Sequence, residues 1–268
     1  MTELITMHTH STFCNHAKDP LGDMVQAAVD AGIAHMAATE HYPIPDELDP
    51  SKRSTMPAER LEAYIDAVRE QQKRDDIDVL LGCELDWLGK DETRALRASD
   101  FDRFDVVLGS IHFVDRWLMV SHKNMSRWKS VDLEAFWNRY VELWCEAAKS
   151  DMPFTVMAHA DVVKKFSPKP EFDLEPLYER MARAAREGGR MVEVNTSGAY
   201  AECAEYYPSL SLLQAFRAEG VACTVGTDAH CKEHIARDIE RAYDYMRAAG
   251  YTQLAVPTRR RGVRMVDL

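Results

Sequence analysis

No apolar run in the 268 residues approaches the ~20 needed to cross a bilayer, and Met1–Leu4 open without a signal-peptide pattern. The six cysteines are scattered singly with no CxxC pair. A chain of this size does not need disulfide staples, so reduced thiols and a cytoplasmic setting are expected. Positive charge is in deficit, with a net charge of −11, which argues against nucleic acid as an electrostatically captured partner. No internal repeat, low-complexity tract or Pro/Gly/Ser linker divides the chain, so one domain over residues 1–268 is expected. A GxSxG elbow is missing, and no serine has a persuasive histidine partner. The glycine-rich phosphate turn that usually follows the first strand of a doubly wound sheet is missing too; His8-Thr9-His10 stands in its place.

What is present is an alternation of short apolar runs with helix-period segments. Leu4–Met7 breaks at His8. Leu21, Met24, Ala28 and Ala31 then mark one face of a helix that Gly32 ends. Ile33–Thr39, Val79–Cys83, Val106–Ile111, Phe154–Ala158, Met191–Val194 and Val221–Val225 read as six further strands. Between them lie a helix opened by Pro57, with Leu61, Tyr64, Ile65 and Val68 on its buried stripe, and another through Phe136, Trp137, Tyr140, Val141 and Trp144. Others run through Leu177, Met181 and Ala185, over Leu210–Ala218, and from about Ala236 to Ala248. Seven strands separated by helices predict an α/β fold with a parallel sheet closed as a barrel of TIM-like type. Pro43–Met56 reads as a loop over the same face, and Arg259–Arg261 as a solvated tail or a barrel-end contact.

The distribution of His, Glu and Asp carries the functional argument. Of ten histidines, His8, His10, His16, His41, His112, His159 and His230 lie at or just beyond the ends of expected strands, with Glu84 and Asp228. In a βα barrel those ends converge on one face. Clustered neutral imidazoles would repel one another's protons without a cation to share, so a metal site is expected. Alternate side chains of a strand face one way, which lets His8 and His10 reach one ion together. Imidazole with carboxylate and no thiolate arrangement suits Zn, Fe or Mn rather than Ca or Mg. Nine ligands exceed the needs of one ion, so two or three divalent metals are implied. Multi-metal sites suit displacement at phosphorus, which makes phosphate-ester hydrolysis the natural chemistry and a small phosphorylated molecule the partner. His35 and His234 read as structural, His122 as exposed, and Cys14 and Cys83 as small packing residues.

His8-Thr9-His10, Phe13-Cys14-Asn15-His16-Ala17, Thr39-Glu40-His41, Gly82-Cys83-Glu84, Gly109-Ser110-Ile111-His112, Ala158-His159 and Gly226-Thr227-Asp228-Ala229-His230 resemble, in order, the motifs of the polymerase and histidinol phosphatase (PHP) superfamily. The resemblance implies a distorted seven-stranded (β/α)7 barrel with a trinuclear site. His8, His10, Glu84 and Asp228 would hold the first metal. Glu84 would bridge to the second, completed by His112 and His159, and His16, His41 and His230 would hold the third. Local wording, including Glu40-His41-Tyr42-Pro43-Ile44-Pro45 and Glu193-Val194-Asn195-Thr196-Ser197-Gly198, is most similar to the monofunctional histidinol-phosphate phosphatases. That implies hydrolysis of L-histidinol phosphate. In that group an arginine commonly follows the Asn-Thr-Ser-Gly turn; here Ala199-Tyr200-Ala201-Glu202 follows.

Glu84 and Asp228 are expected to be essential to catalysis, with Asp161 as general-acid candidate. Lys164, Lys165 and Ser197 are the expected phosphate contacts, and Asp46, Glu47, Asp49 and Glu202 carboxylates for the cationic end of the substrate. Rival readings are another small phosphate ester or phosphotyrosine as substrate, a metal-dependent amidohydrolase, and a regulatory relic. The amidohydrolase reading lacks a lysine at the usual bridging position, and relics lose ligands that this chain retains.

Overall fold

Each barrel strand ends where its apolar run gives way to a polar residue, and each following helix buries the stripe that its spacing marks. The computed structural model describes residues 2–96 and 98–268; Met1, the first residue of the opening read above, lies outside the described residues. β1 (Leu4–Thr6), α1 (Leu21–Asp30), β2 (Ile33–Ala38) and α2 (Leu61–Gln71) form the first two units. β3 (Asp78–Asp86), α3 (Lys90–Ala95) and β4 (Val106–Ser110) follow, then a small hairpin of β5 (Phe113–Val114) and β6 (Trp117–Leu118). α4 (Leu133–Lys149) is capped by Asp132, whose carboxylate accepts from the Ala135 N–H. β7 (Val156–Met157), α5 (Glu175–Gly188), β8 (Met191–Asn195), α6 (Leu210–Ala218), β9 (Cys223–Gly226) and α7 (Ile239–Ala248) complete the alternation. α5 stops at Gly189, whose φ of 64° is the left-handed conformation that glycine adopts without steric cost.

Seven strands form one sheet in the order β1-β2-β3-β4-β7-β8-β9, every pair parallel. The sheet curls until its edges meet: the Met7 N–H donates to the Val225 carbonyl at 2.8 Å, and Thr9 bridges to Ala229. This is the expected α/β barrel of seven strands, nearly closed. The distortion has a local cause. The fifth strand, expected over Phe154–Ala158, pairs over Val156–Met157 alone, because the chain turns at His159, where φ is 24°. The third strand runs further than expected, through Glu84 to Asp86.

The chain ends in a hairpin of β10 (Gln253–Thr258) and β11 (Gly262–Asp267), which the sequence reading missed. Arg259–Arg261 form its turn and clasp the bottom of the barrel. Arg259 pairs with Asp78, the Arg260 N–H donates to Asp105, and Arg261 reaches the Phe104 carbonyl. Of the two expectations for this run, the barrel-end contact is the one observed. Among the described residues no helix is long and apolar enough to cross a membrane.

Candidate metal centre

The C-terminal ends of the strands bring Glu84, Asp228 and the seven strand-end histidines into one cluster. β1 is followed by His8-Thr9-His10, whose extended backbone turns both imidazoles inward, Nε2 to Nε2 at 3.0 Å. His41 follows β2 and pairs through its backbone with Glu84 on β3. His112 follows β4, His159 follows β7, and Asp228 and His230 follow β9. His16 arrives on the loop after β1 and meets His230, Nε2 to Nε2 at 2.9 Å. Asp228 has φ of 50° and His159 of 24°, conformations that a packed surrounding must hold in place.

Glu84 is the hub. One carboxylate oxygen takes the Ser110 hydroxyl at 2.7 Å and lies 2.8 Å from His159 Nε2 and 3.4 Å from His112 Nε2. The other lies 2.8 Å from His41 Nδ1 and 3.4 Å from the Nε2 atoms of both His8 and His10. Five imidazoles crowd one carboxylate, yet its Oε2, His10 Nδ1 and His159 Nδ1 are buried without a hydrogen-bond partner among the described residues. His112 and His159 also oppose their Nε2 atoms, at 3.2 Å. Neutral imidazoles facing nitrogen to nitrogen need a shared proton or a shared cation. A divalent metal satisfies the whole donor set, and several ligand triplets lie within 4.8 Å: His8 with His10 and Asp228, His8 with Glu84 and His159, His10 with His41 and Glu84, and His16 with His41 and His230.

The electrostatics agree. Burial lifts a carboxylate, but the surrounding imidazoles, His41, His8 and His112 for Glu84 and His8 and His10 for Asp228, hold both well below the usual range. Burial together with His41 and His230 holds His10 far below its ordinary value and brings His16 to about 3, so both stay neutral, as ligands must. His8 is the exception. Burial opposes its charge, but Glu193, Asp228 and Glu84 outweigh it and raise the imidazole well above its ordinary value.

Three buried carboxylates around the cluster were not singled out from the sequence. Glu193 on β8 reaches His8 Nδ1 at 3.0 Å and accepts from the His159 backbone N–H at 2.9 Å. Asp86 holds His112 Nδ1 at 3.0 Å. Glu40 takes both the N–H and the hydroxyl of Ser11, and burial raises it to about 7. Their signal was present: a charged residue inside an apolar strand run, as in Met191-Val192-Glu193-Val194, or two residues from another inward carboxylate, as with Asp86 and Glu84. Asn195 accepts from the N–H and hydroxyl of Ser197, and the Ser197 oxygen lies 3.3 Å from Asp228. Ser197 therefore stands at the cluster.

Five other expected contacts lie elsewhere. Asp161 accepts from the Ser209 N–H at 2.8 Å and pairs with Lys164 at 3.0 Å, which also donates to the Tyr206 carbonyl. This buried pair anchors the segment after the Asn195–Gly198 turn. Lys164, Lys165 and Glu202 line a cleft of about 1300 Å³ beside α5 and α6, and none of the nine cluster side chains lines it. Asp49 is buried and accepts from the N–H groups of Arg53, Ser54 and Thr55, so it staples its own loop. Cys14 and Cys83 are fully buried, and burial raises both thiols.

Residues 6–197 match the family model of the PHP domain. The chain belongs to the PHP family. A relative from Deinococcus radiodurans, named "Probable histidinol-phosphatase", is 31% identical over 233 residues, covering 86% of this PHP chain and 87% of its own. Another so named, from Thermotoga maritima, is 24% identical over 94% of this chain and 95% of its own. Among solved structures, the histidinol phosphate phosphatase of Lactococcus lactis, complexed with zinc, L-histidinol and phosphate, superposes with a TM-score of 0.78 at 19% identity. The match covers 98% of this chain and 99% of that one, and it establishes the common PHP barrel.

Proposed function

We propose that this PHP protein is a metal-dependent histidinol-phosphatase, hydrolysing L-histidinol phosphate to L-histidinol and phosphate as a single barrel domain over residues 1–268. The observation that carries the reading is the Glu84-centred nest of imidazoles, read with the 31% identity to the Deinococcus relative. Two or three ions of Zn, Fe or Mn fit the donor set. His8, His10, Glu84 and Asp228 would hold the first, Glu84, His112 and His159 the second, and His16, His41 and His230 the third. Such ions supply water activation near neutral pH and neutralise charge developing on phosphoryl oxygens.

The chain's own residues hold that machinery in place. Glu193 orients His8, Asp86 orients His112, and Ser110 pins Glu84. Ser197, beside Asp228, presents a hydroxyl to the phosphate. A small phosphorylated substrate, and neither nucleic acid nor membrane, suits a chain of net charge −11. Six free thiols support a reducing, cytoplasmic setting.

The test is steady-state hydrolysis of L-histidinol phosphate beside sugar phosphates, nucleotides and phosphotyrosine, with metal content measured on the same samples. Histidinol phosphate should give the highest kcat/KM by at least ~100-fold over a neutral alkyl phosphate, since two charge-assisted contacts suffice for that ratio. Equal turnover across the panel would make the protein a general phosphoesterase. Glu84→Gln should remove turnover by orders of magnitude while the fold survives.

A further inference from the structure

The cluster is not equally buried on all sides. Around Glu84 and His8 solvent is excluded, whereas His230 is half-buried and His16 exposed. Beside this open edge, on a chain that is acidic overall, stand three basic residues, Lys18, His234 and Arg237, near enough that the charges of Lys18 and Arg237 both act on the His234 imidazole. Lys18 donates its backbone N–H to the His230 carbonyl at 2.8 Å and leaves its side chain exposed. His234 ends the short turn Lys232–His234 that follows His230, and burial with the charges of Arg237 and Lys18 keeps its imidazole low. Arg237 comes next on the same loop.

Arg237 is held on two sides. Its carbonyl accepts from the Thr196 hydroxyl at 2.9 Å, tying it to the Asn195–Tyr200 turn that carries Ser197. Its guanidinium lies 3.7 Å from the centre of the Tyr200 ring, and the Tyr200 hydroxyl is fixed by Asp238 at 2.9 Å. The Nε is buried without a hydrogen-bond partner, and among the described residues no carboxylate pairs with the guanidinium. A partly desolvated, immobilised and unpaired guanidinium is costly unless an anion completes it. Stacking on an aromatic face fixes the plane of the fork and leaves its donors directed along that plane, the geometry that a phosphoryl group accepts.

We infer that Lys18, His234 and Arg237 form the phosphate-recognition rim of this site, Arg237 donating to the non-reacting oxygens of a monoester dianion while Lys18 adds positive charge and the neutral His234 ring a hydrogen bond at the entrance. This rests on the phosphoesterase reading above. The rim places positive charge beside the exposed edge of the cluster on a protein that is acidic overall.

Metal-loaded parent, Arg237→Met, Arg237→Lys and Lys18→Gln are compared in two ways, by turnover of histidinol phosphate and by calorimetric binding of inorganic phosphate. Arg237→Met should raise both KM and the phosphate Kd by ~10–100-fold, the span of one charge-assisted pair, with a smaller fall in kcat. Arg237→Lys should recover part of the loss, and Lys18→Gln should weaken phosphate by roughly 2–5-fold. Preference for a monoester dianion over a singly charged methyl diester should shrink in Arg237→Met. Unchanged phosphate affinity in folded Arg237→Met overturns the rim. Should that variant not fold, unchanged affinity in Lys18→Gln overturns it instead. A parent that binds phosphate but leaves histidinol phosphate intact counts against the substrate reading alone.

Discussion

His8 Nδ1 lies 3.0 Å from Oε1 of Glu193, and both side chains are fully buried. The contact turns the other ring nitrogen toward His10, Glu84 and Asp228, so a carboxylate on β8 sets the aim of a ligand on β1 across the closure of the barrel. Outer carboxylates of this kind typically contribute ~10–100-fold to metal affinity. Glu193→Gln should weaken binding by that factor in a chelator competition, with the circular dichroism spectrum unchanged. Parental affinity in the variant would mean that Glu193 only packs.

The same pair predicts a proton count. His8 is held well above its ordinary value and is protonated in the metal-free protein near neutral pH, whereas His10 and His16 are already neutral. A ligand must give up its proton, so metal entry should release about one proton per chain, and affinity should rise as pH rises through the elevated His8 value. Calorimetry in buffers of different ionisation enthalpy reads this directly. Release near zero, or affinity that rises on acidification, would contradict the assignment.

Gly226 makes the close approach possible. A Cβ there would stand 2.5 Å from His8 Cβ and 2.5 Å from Glu193 Oε2, neither of which can retreat from the packed barrel wall. Gly226→Ala should cost about 1–3 kcal/mol of stability and reduce metal content. Gly22→Ala is the control, because the only neighbour of its added Cβ is the Gln71 side chain at 3.8 Å. Thermal melts with metal analysis of both variants decide it, and equal behaviour would refute the claim.

Asp161 and Lys164 make a different prediction. Asp161 is wholly buried, and Lys164 nearly so. Removing one partner of such a pair leaves a charge uncompensated, at about 3–5 kcal/mol. Lys164→Met should therefore lower Tm by several degrees while the folded fraction keeps its KM for the phosphate ester. A raised KM with an unchanged Tm would return Lys164 to the phosphate.

The arrangement of strands, helices and strand-end ligands was legible before any coordinates, because it follows from local rules. Apolar runs of strand length, stripes at helical spacing and polar residues at the breaks mark βα units, and parallel strands of one sheet point their C-terminal ends the same way. That reasoning placed His8, His41, Glu84, His112, His159 and Asp228 on one face. It missed the β10–β11 hairpin, and left Arg259–Arg261 between a solvated tail and a barrel-end contact, because their partners Asp78 and Asp105 lie far away in the chain.

What pairs with what inside the cluster required the folded chain. Asp161 and Lys164, three residues apart, looked like site residues; their partnership with each other and with Ser209 emerges only when the segment after Gly198 packs back on β7. Asp49 looked available to substrate and is spent on its own loop. Glu193 looked like one strand residue among several and proves to reach His8 from β8, one strand in from the closing edge of the sheet. Periodicity and composition act between near neighbours and so are written along the chain. Burial, the facing of two imidazoles and the isolation of one guanidinium depend on residues brought together by barrel closure, and no spacing encodes them.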